Sequence, residues 1–341
     1  MKILIFIPGM NGGGAEKQAL YFFNELRKHD FDVSLALFYK NKFNDIIKEL
    51  NIPLILLKHK SFKSLSNLLT LNKYLKSNKY DLIISFLPVA DLYVGLLKML
   101  GLKSKWIIFE RNSSYSFNLT NYLRLILAKK FCFKLLANSD AGKNYWIKHS
   151  NIRTMLYQNF IDFNSLNVNK RQMKKYYNNY ILYAGRFSDQ KNIYKLVNVF
   201  KLVSDRYLPL MIGEGNLVSV VKNEKAITSL EFQDDIFNYY NNAKAFFSLS
   251  KYEGTPNTVI ENIICGNKVI VSDIKEHIDL LGKDYKFFLK EKDYSNKDKI
   301  IDLIEKPISS DDYSYFFNKY NIDRSTLVSE FKKLINEEYS N

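Results

Sequence analysis

Short apolar runs alternate with longer segments of helical spacing along the first half of the chain. Residues 2–7, 33–38, 54–57, 82–86, 106–109 and 135–138 have strand length and near-continuous apolarity. Between them, residues 15–28 and 62–79 carry apolar side chains at helical spacing, the latter with leucines at 65, 68, 69 and 75. Strands of this kind alternating with helices predict a mostly parallel sheet covered on both faces. The pattern lapses over residues 164–179, a polar stretch rich in Lys and Asn, and then restarts. Strands are predicted at 180–184, 209–212, 245–249 and 268–272, with helices from about 192 and over 258–265, and a polar helix at 313–339. The chain thus reads as two α/β units in succession.

Length agrees with that division, because 341 residues exceed what one hydrophobic core usually serves. The apolar start, Met1 to Gly9, is short and breaks into a glycine turn without a small-residue cleavage site, so it reads as a buried first strand. Only Cys132 and Cys265 are present, which fits a reducing cytoplasm, and no stretch reaches the roughly 20 apolar residues that span a bilayer. Charge changes the picture more. Residues 1–160 carry 24 Lys and Arg against 10 Asp and Glu, a net +14, whereas the remainder carries 26 against 25. That asymmetry points to an anionic partner for the first half, either nucleic acid or an acidic membrane surface, or to a Lys-rich surface with no partner. No nucleic-acid-binding motif accompanies it, and none is expected to act here.

Three strand–loop–helix junctions carry candidate chemistry. Gly12-Gly13-Gly14-Ala15-Glu16 follows the first strand; it is either a tight turn or a place where a ligand approaches the backbone at a helix N-terminus. Its spacing is not that of a dinucleotide fingerprint. Gly185-Arg186-Phe187-Ser188-Asp189-Gln190-Lys191-Asn192 sets two cations around a turn into a helix, an arrangement that suits a diphosphate. Tyr252-Glu253-Gly254-Thr255-Pro256-Asn257-Thr258-Val259-Ile260-Glu261 places one carboxylate in a loop and another about one turn into a helix, with free amides between them. Carboxylates accept hydrogen bonds from sugar hydroxyls, and free amides suit a phosphate. Asp30-Phe31-Asp32 falls at the wrong end of the sheet for a metal-binding pair, and His29, His59, His149 and His277 lack ligand spacing, so no metal is expected.

Taken in order, these junctions resemble the retaining GT-B glycosyltransferases of family 4, the glycosyltransferase group-1 family. Asn138-Ser139, the 157–162 segment, Gly213-Glu214-Gly215 and Gly266 complete the resemblance, which spans nearly the whole chain. It implies an α/β GT-B fold, two Rossmann-like domains facing across a cleft: 1–163 on the acceptor side, 164–312 for the donor, and 313–341 a helix crossing back to the first domain. It implies a hexosyltransferase that needs no cofactor or metal and moves a hexose or N-acetylhexosamine from a nucleotide-sugar, a UDP-sugar foremost. The basic first half suits a polyprenyl-diphosphate-linked sugar or a growing surface glycan as acceptor, at an anionic membrane, with a soluble acceptor as the alternative. Arg186 and Lys191 would grip the donor diphosphate, Glu253 would contact the transferred sugar, and Glu261 the ribose. Gly13, Gly14, Gly185, Gly254, Thr255, Pro256, Asn257 and Thr258 would line the donor. Glu110-Arg111-Asn112 stand where the family often has a His, and are assigned to the acceptor side. Phe232-Gln233 and Lys275-Glu276-His277 also depart from the family pattern, the latter replacing paired glycines. An epimerase of the same architecture, or a basic binding protein without catalysis, is the alternative. For membrane attachment, Lys58, Lys60, Lys63, Lys73, Lys76 and Lys79 around the leucine stripe are the expected contacts.

Overall fold

The structure, a computed structural model, describes residues 1–10, 14–38, 52–57, 65–111, 119–159, 179–233, 235–320 and 324–339. These fall into two compact units, 1–160 with 323–341, and 161–322. In the first, β1 (Lys2–Phe6), β2 (Asp32–Leu37), β3 (Leu54–Leu56), β4 (Leu82–Phe86), β5 (Lys105–Glu110), β6 (Lys134–Ala137) and β7 (Thr154–Leu156) form one parallel sheet in the order β3-β2-β1-β4-β5-β6-β7. Among the described residues its helices are α1 (Gly14–Lys28), α2 (Leu65–Asn78), α3 (Pro88–Met99), α4 (Leu119–Phe131) and α5 (Asp140–His149). Parallel strands covered on both faces must be apolar throughout, and Ile3 to Phe6, Ile83, Trp106 and Leu135 are all buried. Ser139 caps α5 by accepting from the Gly142 amide, which gives the Asn138-Ser139 pair a local structural role.

The second unit has a five-stranded parallel sheet, β10-β9-β8-β11-β12, built from β8 (Tyr180–Ala184), β9 (Leu208–Ile212), β10 (Thr228–Leu230), β11 (Ala245–Ser248) and β12 (Val269–Val271). Its helices are α6 (Ile193–Leu202), α7 (Val218–Lys222), α8 (Ile236–Asn242), α9 (Asn257–Ile264), α10 (Lys275–Leu281), α11 (Lys297–Glu305) and α12 (Ser314–Lys319). Strand order reverses at β8, whose neighbours are β9 and β11, so the carboxyl ends of β8 and β11 lie side by side. In open α/β sheets this is where ligands bind.

The helix expected over 313–339 is divided. Residues Ser310–Tyr313 form a 3-10 turn that leads into α12, and a separate helix, α13 (Arg324–Tyr339), follows. Tyr313 is the reason: it is buried in the second unit, where its hydroxyl donates to Asn267 O and accepts from the Val269 amide. α13 belongs to the first unit. It buries Leu327, Val328, Phe331, Leu334 and Ile335, and Leu327 O accepts from the Tyr157 hydroxyl at 2.7 Å. Phe331 packs edge-on to Phe22 at 4.8 Å between ring centroids.

Candidate functional site

The loop after β8 is held in one shape by glycines on its neighbour. Gly213 and Gly215, just past β9, have φ of +152° and +155°. A Cβ on them would lie 1.9 Å from Gly185 O and 2.2 Å from Phe187 O, respectively, so only glycine lets the two loops close on each other. Gly185 N donates to Ile212 O, Phe187 N to Glu214 O, and the Tyr183 hydroxyl to Arg186 O. These bonds fix the backbone of Arg186 while its side chain stays exposed, and its guanidinium has no hydrogen-bond or ion-pair partner among the described residues. A 3-10 turn, Asp189–Lys191, then delivers the chain to α6.

Lys191 meets the loop after β11. Its Nζ lies 2.5 Å from Glu253 Oε1, with the lysine side chain 20% and the glutamate 5% exposed. Ser250 Oγ donates to the same carboxylate oxygen at 2.6 Å. Backbone contacts align the two loops, since the Lys251 amide donates to Gln190 O at 2.9 Å and the Gln190 side chain to Tyr252 O. From the other side, the Glu276 carboxylate accepts from the Glu253 backbone amide; burial pushes the Glu276 carboxyl above its ordinary range. His277, fully buried, places Nδ1 2.9 Å from Ser272 O, while Ser272 Oγ donates to Ser250 O. Burial pushes the His277 imidazole down to about 4, so it stays neutral beside the Lys191–Glu253 pair.

The segment from Gly254 to Thr258 lies partly accessible, with Pro256 buried, and opens α9 without a side-chain cap. An uncapped helix start presents amides to an anion. One turn on, the half-buried Glu261 accepts from the Tyr240 hydroxyl at 3.0 Å. The second unit therefore gathers an exposed guanidinium, a lysine paired to a buried carboxylate, a helix start without a side-chain cap and a second carboxylate at the carboxyl ends of neighbouring strands. Cations and amides can neutralise a diphosphate, and carboxylates can hold hydroxyls.

Comparison with known proteins bears on what this arrangement serves. The sequence pattern described as Glycosyltransferase Family 4 matches residues 12–164, and that described as Glycosyl transferases group 1 matches residues 167–320. This chain is a glycosyltransferase. It is 24% identical to an uncharacterized glycosyltransferase of Haemophilus influenzae over 98% of this chain and 99% of that one. It is 26% identical to the GalNAc-alpha-(1->4)-GalNAc-alpha-(1->3)-diNAcBac-PP-undecaprenol alpha-1,4-N-acetyl-D-galactosaminyltransferase of Campylobacter jejuni, over 77% of each chain. Anabaena HepE, solved in complex with UDP and glucose, shares the GT-B fold with a TM-score of 0.80 at 18% identity, covering 99% of this chain and 100% of that one.

In the first unit of the glycosyltransferase, Gly14 begins α1 and is exposed, whereas Gly13 and Asn112 lie outside the described residues. Glu110 and Arg111 divide in role. Glu110, expected on the acceptor side, is a core residue at 1% exposure: its carboxylate faces Arg124 Nη2 at 2.7 Å and accepts from Trp146 Nε1 at 2.6 Å and from the Arg111 amide. Arg124 also donates to Asp91, whose carboxyl burial pushes up to about 6. One buried guanidinium thus serves two carboxylates, and Glu110 is committed to it. Arg111 instead turns its guanidinium over the rings of Phe86 and Phe109, at 5.3 and 5.1 Å, and donates to Asn159.

Sequence reasoning missed Ser250, Tyr240 and the support from Glu276. Lys275-Glu276-His277 had stood out as a departure from paired glycines, and that departure was the available signal for Glu276. Ser250 and Tyr240 gave none, because a serine after a strand and a tyrosine on a helix are ordinary in this composition.

Proposed function

We propose that the glycosyltransferase moves a hexose or N-acetylhexosamine from a UDP-sugar to a lipid-linked or surface-glycan acceptor, with retention at the anomeric carbon. The observation that carries this reading is the contact of Lys191 with Glu253, made by the loop that also carries the exposed Arg186, at the point where strand order reverses in the second unit. In this reading the donor belongs to the second unit. Arg186 and Lys191 take the diphosphate, the backbone from Gly254 to Asn257 runs along the sugar and phosphate, and charge growing on the diphosphate as it leaves is stabilised by groups already in place. Glu253 holds the sugar and Glu261 the ribose. The departing phosphate can take the acceptor proton on the face it vacates, so retention requires no separate side-chain base and no metal. The first unit meets the acceptor, and Arg111 is the cation we assign to its phosphate or glycan. The Campylobacter relative, named for an undecaprenol-linked substrate, supports a lipid-borne acceptor, and on that reading the protein works at the inner face of the cytoplasmic membrane. No helix among the described residues is long and apolar enough to cross a membrane.

A thermal-shift panel of UDP, GDP, ADP and CDP tests the donor, because a nucleotide that binds only the folded state raises its Tm. UDP should give the largest shift, with EDTA making no difference. NMR of the product formed with an undecaprenyl-diphosphate sugar then reads the anomeric configuration. Inversion would overturn the mechanism. Conversion of the donor without acceptor would make the protein an epimerase.

A further inference from the structure

α4 presents apolar side chains outward along its length. Leu119, Tyr122, Leu123 and Ile126 are 73%, 51%, 42% and 43% exposed, and their spacing of three and four places them in one stripe. The helix cannot rotate to hide them, because its opposite face is occupied. Arg124 there is buried in its ion pairs with Asp91 and Glu110, and Leu127 sits so close to Gly95 of α3 that a Cβ on that glycine would be 2.7 Å away. On the neighbouring α3, Leu96 and Met99 are exposed as well.

Charge says what covers this stripe. From residue 92 to residue 139 the only carboxylate side chain is the buried Glu110, whereas Lys103, Lys129 and Lys130 are exposed. An apolar stripe on a helix that carries no acid and ends in two exposed lysines complements an anionic bilayer, whose headgroups attract the cations and whose interface takes the side chains. We propose that α4 is the membrane-docking element, with Leu119, Tyr122, Leu123 and Ile126 sinking into the boundary between headgroups and acyl chains. Lys129 and Lys130 lie at the phosphates. This rests on the lipid-borne acceptor of the preceding section. It differs from attachment through the lysines around α2, which salt would reverse completely; Lys58, Lys60 and Lys63 of that set lie outside the described residues.

Flotation of the full chain with vesicles of phosphatidylcholine, alone or mixed with phosphatidylglycerol, tests the proposal. Wild type should float with the mixed vesicles and keep part of that binding at high salt. The Leu123→Ser/Ile126→Ser double variant should lose about tenfold or more in partition. Lys129→Gln/Lys130→Gln should lose the preference for phosphatidylglycerol. A Tyr122→Trp variant should shift its emission to the blue on binding, against the constant background of the buried Trp106 and Trp146. Undiminished partition of the double Ser variant, or unchanged Trp emission from bound protein, would overturn the proposal. So would a wild-type dimer that the double Ser variant dissociates, since a second copy would then cover the stripe. The UDP-induced rise in Tm reads the donor site independently. If docking fails while that rise persists, this inference falls and the donor reading stands; if the rise is missing while docking holds, the reverse applies.

Discussion

Replacing Glu253 by Gln should tighten the binding of UDP while slowing turnover. The two effects separate because Lys191 has two claims on it. Its ammonium sits 2.5 Å from the Glu253 carboxylate, with the glutamate almost buried and the lysine one-fifth exposed. Fully exposed pairs contribute about 0–1 kcal/mol and breaking buried ones costs about 3–5 kcal/mol, so this intermediate pair is worth about 1–2 kcal/mol. A diphosphate that engages Lys191 must share it with Glu253. The Gln side chain keeps the bond from Ser250 but makes no such claim, and it removes a negative charge from beside the phosphates. UDP affinity should therefore rise about 5- to 30-fold, the equivalent of that energy. Turnover with the full donor should fall, because the sugar loses its carboxylate. Calorimetric titration of UDP into wild type, Glu253→Gln, Lys191→Ala and the double variant closes the cycle, and Lys191→Ala should cost more in the Gln background than in the wild type. Weaker UDP binding by Glu253→Gln, or a cycle that is additive within about 0.5 kcal/mol, would refute the reasoning.

Other expectations follow from single residues. Arg186→Ala removes an exposed cation and should raise the Kd for UDP about tenfold or more, the worth of one charged hydrogen bond, with Tm unchanged. Glu261→Gln should act mainly on KM and Glu253→Gln mainly on kcat, as steady-state kinetics will read. Gly213→Ala drives a Cβ to 1.9 Å from Gly185 O and should cost about 3 kcal/mol or more in urea unfolding. His277 is neutral in the fold down to about pH 4 but protonates near 6.5 when unfolded, so its contribution to stability is complete above 6.5 and is lost as pH falls toward 4. The stability gap between wild type and His277→Asn should accordingly be wider at pH 7.5 than at pH 5.

Alternation of apolar runs with helical segments was enough to give two parallel α/β units, since each run is long enough for local periodicity to speak for itself. It was not enough for β7 and β10: Thr154–Leu156 and Thr228–Leu230 are as short as the edge strands β3 and β12 but lack their unbroken apolar run. The chemistry of the donor loops was likewise legible, because glycine, cation and carboxylate spacing around a turn are local facts. What the sequence could not say is that Lys191 and Glu253 touch: that contact exists because β8 pairs with β11 across the intervening β9 and β10 of the chain. Glu110 shows the same limit from the other direction. Beside Arg111 it reads as a surface group, and only the packing of α4 and α5 on the sheet supplies the Arg124 and Trp146 that make it a core residue. α13 returns to the first unit although the segment before it stays with the second, a division made by the burial of Tyr313 against β12. Periodicity reports which face of an element is apolar, whereas partners distant in the chain are chosen by strand order and by which side chains fill the same space.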